Sequence, residues 1–131
     1  MNKHLVFIYG SLRRGSACSM SERFPGAKFI AAAEVSGSLY DLGEYPGALT
    51  DESNSLIIGE AYEVDDELMN KLDDFEASSN YRRQQVEISR GSQQSTGWIY
   101  VPADDPESYS QRTLIESGDW IEYARTKNQP V

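Results

Sequence analysis

Cysteine and histidine occur once each in the 131 residues, as Cys18 and His4, and basic residues are well outnumbered by acids. A structural zinc site takes four Cys or His ligands, so none can be built here, and a catalytic zinc would find at most two. Any metal would have to be held by carboxylates. Cys18 has no partner for an intrachain bridge, which fits a reducing compartment. With 12 Lys and Arg against 21 Asp and Glu, the net charge is −9. Such a field repels polyanions, and Arg13-Arg14 and Arg82-Arg83 are isolated pairs rather than a basic stripe, so nucleic acid is not an expected partner. No run of 18 apolar residues exists to span a membrane. The apolar run after Met1-Asn2-Lys3-His4 is too short for a signal peptide. The expectation is a cytoplasmic protein without membrane contact; oligomeric state leaves no mark in the sequence.

Hydrophobic residues make up 39% of the chain. At this length roughly two thirds of the unfolded surface is buried on folding. That suffices for a single domain, with a core over about residues 3–121 and a polar, fraying tail over 122–131. Leu5-Val6-Phe7-Ile8-Tyr9 is continuously apolar and stops at Gly10-Ser11, the pattern of a strand buried on both faces that runs into a tight turn. Residues 12–25 read as loop with one helical turn at most. Residues 28–42 suit a long bent strand with small residues at a close approach, and Gly43-Glu44-Tyr45-Pro46-Gly47 reads as a turn. A strand follows over 55–64. Asp65-Asp66-Glu67 then opens a helix, with negative charge where the dipole favours it. Residues 81–89 and 96–101 form a hairpin across a polar turn, and 102–110 is an acidic loop. The sum is an α+β domain, a small mixed β-barrel with flanking helices.

On the helical wheel, Leu68, Leu72, Phe75 and Met69 form one apolar stripe, and Glu76 falls between Leu72 and Met69. The other acids of the helix lie off it. A carboxylate placed there has its charged form disfavoured and its pKa raised, which is what a general base working near neutrality needs. Equally, the helix frays at Ala77-Ser78-Ser79 and Glu76 turns to water, or pairs with Arg82 or Arg83. The second constellation is Tyr9-Gly10-Ser11-Leu12, where main-chain N–H groups can form a concave anion nest and Gly admits a ligand close to the backbone. Most strand-Gly-Ser turns bind nothing. No G-x-S-x-G elbow or phosphate-binding G-x-x-x-x-G-K is present, and His4 reads as a strand-start residue.

Taken in order, Tyr9-Gly10-Ser11-Leu12, Leu39 to Ala48, Gly59-Glu60-Ala61-Tyr62, Leu72-Asp73-Asp74-Phe75-Glu76, Tyr81-Arg82-Arg83 and Trp98-Ile99-Tyr100 resemble the gamma-glutamylcyclotransferase-like family in its short bacterial form, related to the gamma-glutamylamine cyclotransferases. The resemblance implies a small barrel and a reaction on a small γ-glutamyl compound. The substrate's α-amino group attacks its own side-chain carbonyl, releasing 5-oxoproline and an amine, with no cofactor or metal. It implies Glu76 as catalytic base, the turn from Tyr9 to Leu12 as holder of the glutamyl head, and Tyr100 as a site wall. The family's usual Gly after that glutamate is Ala77 here, a change at the helix end rather than at the carboxylate. A rival reading is a non-catalytic module that holds a glutamyl-like or other carboxylate ligand on the same fold. The leaving amine, whether of a dipeptide, an isopeptide or another metabolite, is not written in the sequence.

Overall fold

A computed structural model describes residues 2–16, 19–51 and 54–127. Cys18 lies outside the described residues, as do 128–131. Strand β1 (Lys3–Ile8) leads through a turn to a one-turn helix α1 (Met20–Arg23), then β2 (Lys28–Asp41), β3 (Pro46–Thr50) and β4 (Leu56–Asp65). Helix α2 (Asp66–Ala77) precedes the hairpin β5 (Tyr81–Arg90) and β6 (Gln93–Pro102). The chain closes with α3 (Pro106–Tyr109), β7 (Thr113–Leu114) and α4 (Trp120–Thr126). Strand order is β3-β2-β4-β1-β6-β5, and Glu34 of β2 pairs with Ser89 of β5, so five strands close into a barrel with β1 parallel to β6. The mixed α+β barrel read from the sequence is the architecture observed.

Each face of β1 enters a different core, as its continuous apolar run requires. Phe7, followed by Tyr9, packs inside the barrel with Val35, Leu39, Ile57, Ile88, Ile99 and Trp120. Val6 and Ile8 pack outside it with Leu12, Met20, Phe24, Met69, Leu72 and Tyr100, under α2. The long β2 changes its main partner along its length: Lys28–Ser36 pairs with β4, and Gly37–Asp41 with β3. Gly37 sits where it changes partner, and a Cβ there would lie 2.5 Å from the Leu49 carbonyl oxygen. Among the described residues no helix is long and apolar enough to cross a membrane.

Three segments depart from the sequence reading. Pro46-Gly47 is not turn but the start of β3, because β2 offers it a pairing edge. The acidic loop contains α3, whose N-cap Asp105 accepts the Glu107 N–H at 3.1 Å. Over 122–126 the expected tail is instead helix: α4 runs through Thr126, capped by Asp119. Its buried stripe is Trp120, Ile121 and Ala124, and Tyr123 packs against the barrel core. One of those three is only a methyl group, and polar residues surround it. Ala124→Asp would place an unpaired charge in that core and should lower unfolding free energy by at least about 2 kcal/mol in urea denaturation. A variant as stable as the parent would return the segment to a tail.

Candidate active site

The site lies at the barrel end where β1 runs out and α2 stops. Beyond Ile8 the chain reverses through Gly10-Ser11-Leu12-Arg13, closed by the Arg13 N–H on the Gly10 carbonyl at 3.1 Å. Leu12 is buried in the outer core and pins the turn; Ser16 Oγ donates to the carbonyls of Ser11 and Arg13. Among the described residues nothing accepts from the N–H groups of Gly10, Ser11 and Leu12. Neighbouring main-chain donors left free in this way are what an anion-binding turn requires.

A buried carboxylate anchors the turn from below. Glu60 stands on β4 opposite Ile8 and accepts the Arg14 N–H at 2.9 Å, Arg13 Nε at 3.4 Å and the Tyr62 hydroxyl at 3.1 Å. Arg13 reaches on to Asp119 at 2.8 Å. Pro46 walls the other side: a Cβ on Gly10 would stand 3.2 Å from its Cγ. The Pro46 carbonyl accepts the Tyr81 hydroxyl.

Glu76 arrives from α2. Asp65 caps that helix by accepting the Leu68 N–H at 2.8 Å, and Met69 and Leu72 bury its inner face. The helix reaches Ala77 instead of fraying before it, and Asn80, at φ 65°, turns the chain into β5. Glu76 is half-buried, and among the described residues no donor reaches its carboxylate. Arg83 is taken instead by Asp73 at 3.3 Å and by the Trp98 ring, with its guanidinium carbon 4.5 Å from the ring centroid. Burial without compensation pushes the Glu76 carboxyl up from 4.5 to about 7. The phenols around it move up too, by burial first and then by neighbours that include the Glu76 charge, at Tyr9, Tyr81 and Tyr100. They stay protonated donors.

The structure thus brings Glu76 together with Tyr9, and Tyr9 carries the chain straight into Gly10, Ser11 and Leu12. Tyr100 stands differently. Its hydroxyl donates to Asp73 at 2.7 Å and its carbonyl accepts Tyr9 Oη at 2.6 Å, so it backs the site from beneath α2. His4 pairs with Asp66 at 2.5 Å, ten residues and about 15 Å of helix from Glu76. Among the described residues no three His, Cys, Asp or Glu side chains converge to hold a metal. Glu60, Arg13 and Tyr81 acquire roles only through these tertiary contacts. Glu60 alone left a signal, as an acid inside an apolar strand.

The same closed barrel is found in the crystal structure of an AIG2-like protein from Mus musculus, with TM-score 0.74 at 25% identity over 91% of this chain and 90% of that one. An uncharacterised protein from Pyrococcus horikoshii gives 0.69 at 25% identity, over 95% of this chain and 96% of the other. Residues 6–122 match the family model described as gamma-glutamyl cyclotransferase, AIG2-like, and the chain belongs to that family. A provisionally named gamma-glutamylcyclotransferase of Vibrio cholerae is 36% identical over 123 residues, 92% of this chain and 97% of that protein. The gamma-L-glutamyl-butirosin B gamma-glutamyl cyclotransferase of Niallia circulans is 29% identical, over 90% of this chain and 76% of its own length. Family and relatives support a gamma-glutamylcyclotransferase-type function with the substrate unassigned.

The raised Glu76 carboxyl has a consequence for stability. Between pH 4.5 and 7 the native state keeps a proton that the unfolded chain has released, so this group's contribution to stability falls as pH rises through the window and levels off above it. Glu76→Gln lacks that loss. Its stability relative to the parent should grow between pH 4.5 and 7.5 by on the order of 1–3 kcal/mol, discounted for partial solvation, in urea titrations at both pH values. A difference that does not move with pH would contradict an uncompensated carboxyl.

Proposed function

We propose that the protein is a cyclotransferase that converts a γ-glutamyl compound into 5-oxoproline and a free amine, with Glu76 as general base and then general acid. The observation that carries this reading is the half-buried, unpaired Glu76, poised at about 7, whose charge reaches Tyr9, the residue that opens a turn whose main-chain donors are free among the described residues. Family membership over residues 6–122 supports the reaction class. The setting we propose is cytoplasmic.

The N–H groups of Gly10, Ser11 and Leu12 receive the α-carboxylate of the glutamyl head, which aims the α-amino group toward Glu76. The α-ammonium is a much weaker acid than an ordinary carboxyl group, so a carboxylate raised to about 7 takes its proton at a lower cost than one at the usual value would. The amine nitrogen then forms a bond to the γ-carbonyl carbon, closing a five-membered ring; Glu76 returns the proton to the leaving nitrogen as its bond to that carbon breaks, and the ring nitrogen passes its second proton through the ionised Glu76 to solvent, leaving a neutral lactam. Holding both reacting groups of one molecule in place removes most of the entropic barrier. The carboxylate on this account must be ionised, so kcat/KM rises with pH on a limb centred near 7.

Glu76→Gln should fold normally, keep substrate binding, and lose at least about 10²-fold in kcat, the usual span of a positioned base. Release of 5-oxoproline from γ-glutamyl dipeptides and ε-(γ-glutamyl)-lysine, followed by mass spectrometry across pH 5 to 9, is the check. A Gln variant that retained most of its activity would remove Glu76 from the mechanism. Binding of these compounds without any product would favour the non-catalytic module.

A further inference from the structure

Helix α4 touches both loops that form the site. At its N-terminus Gly118, with φ 70°, lies so close to β4 that a Cβ would come within 2.0 Å of the Leu56 carbonyl oxygen. Its carbonyl accepts the Ile58 N–H at 2.8 Å, which fixes where the helix begins. Asp119 follows, and its Oδ1 does two things: it accepts the Glu122 N–H at 3.2 Å as N-cap, and it accepts Arg13 Nη1 at 2.8 Å. Arg13 belongs to the Gly10 turn, and both it and Arg14 rest on Glu60.

About one and two turns after Asp119, α4 and its C-cap reach the other loop. The Tyr123 hydroxyl and Lys127 Nζ each donate to Asp41 Oδ2 at 2.6 Å. Asp41 is 7% exposed, and its Oδ1 accepts the Gly43 N–H at 2.8 Å. Leu42 and Tyr45 close that loop by an N–H to carbonyl bond of 3.0 Å, and the next residue is Pro46, which abuts Gly10 and holds Tyr81. Burial pushes the Asp41 carboxyl up, but the hydrogen bonds from Lys127, Tyr123 and Gly43 outweigh it and hold the group below its ordinary range. Between these two anchor points Trp120 is 1% exposed in the barrel core, so the helix is rigidly seated.

We propose that α4 braces the candidate site, with Asp119, Tyr123 and Lys127 as positioning residues that set the Gly10-Ser11-Leu12 turn against the loop carrying Pro46. The role rests on the cyclotransferase reading only for its kinetic readout; the mechanical readout is independent of it. The α-carboxylate that the turn grips makes and breaks no bond, so its share of the binding is held equally in ground and transition states, and weakening it raises KM and leaves kcat near its original value.

The test uses the full chain with Asp119→Asn, which keeps a good N-cap and loses the charge facing Arg13, and with the double variant Tyr123→Phe, Lys127→Met. Amide hydrogen exchange should speed up at Arg13 and Arg14 in the first and at Gly43 in the second, while the β5–β6 ladder at Gln84 and Ile99 keeps its protection. KM for the γ-glutamyl compound turned over by the parent should rise about three- to tenfold with kcat within about twofold, and Lys127→Arg should behave as the parent. Unchanged exchange at those amides overturns the brace, as does a uniform rise through the β5–β6 ladder, which would make α4 a general stabiliser. Local exchange that rises while KM stays fixed confines the brace to structure and overturns its role in the site. If the parent releases no 5-oxoproline, the reaction class falls, and the exchange pattern alone still decides whether α4 holds the two loops.

Discussion

An ionised carboxylate removed from water without a partner is costly, and the molecule carries that cost at Glu76 while avoiding it at two other enclosed acids. Glu60 accepts from Arg13, Arg14 and Tyr62; Asp41 accepts from Tyr123, Lys127 and Gly43. Both are saturated, and both hold loops in place. Glu76 has no donor among the described residues, so its burial appears as a raised affinity for a proton. The chemistry assigned to Glu76 follows from that contrast.

The barrel supplies the geometry. The β2–β5 bridge closes the barrel, and the parallel pairing of β1 with β6 sets Tyr9 beside Tyr100. Packing of Met69 and Leu72 on the outer face of the same strands decides where α2 stops. The Gly10 turn then meets Pro46, the first residue of β3 and distant in sequence, with the Tyr81 hydroxyl on the Pro46 carbonyl. These contacts are built on strands and a seated helix rather than on free loops, which is what holding a substrate's two reacting groups in register demands.

Elements governed by local pattern were legible in the sequence. The continuous run from Leu5 to Tyr9 announces burial on both faces, and the acids at the start of α2 with the stripe of Leu68, Met69, Leu72 and Phe75 announce both the helix and the odd position of Glu76. Elements made by tertiary contact were not. Pro46-Gly47 has turn composition and becomes strand only because β2 bends past it at Gly37. Helix α4 rests on Trp120, Ile121 and Ala124 within polar sequence, so its periodicity is faint. The long-range partners of Glu60 and Asp41 lie 46 to 47 and 82 to 86 residues away, on the Arg13–Arg14 turn and on α4 with its C-cap Lys127; no spacing rule reaches that far. Half of the site's framework is therefore visible only in the fold.

The most direct measurement is a titration of the Glu76 side-chain carboxyl carbon by NMR, on protein labelled at glutamate, with Glu76→Gln used to assign the signal. The account predicts a single midpoint near 7, set apart from the solvent-exposed glutamates. A midpoint at the ordinary value of about 4.5 would mean that the carboxylate is solvated or paired after all, and the proposed base would lose its physical foundation.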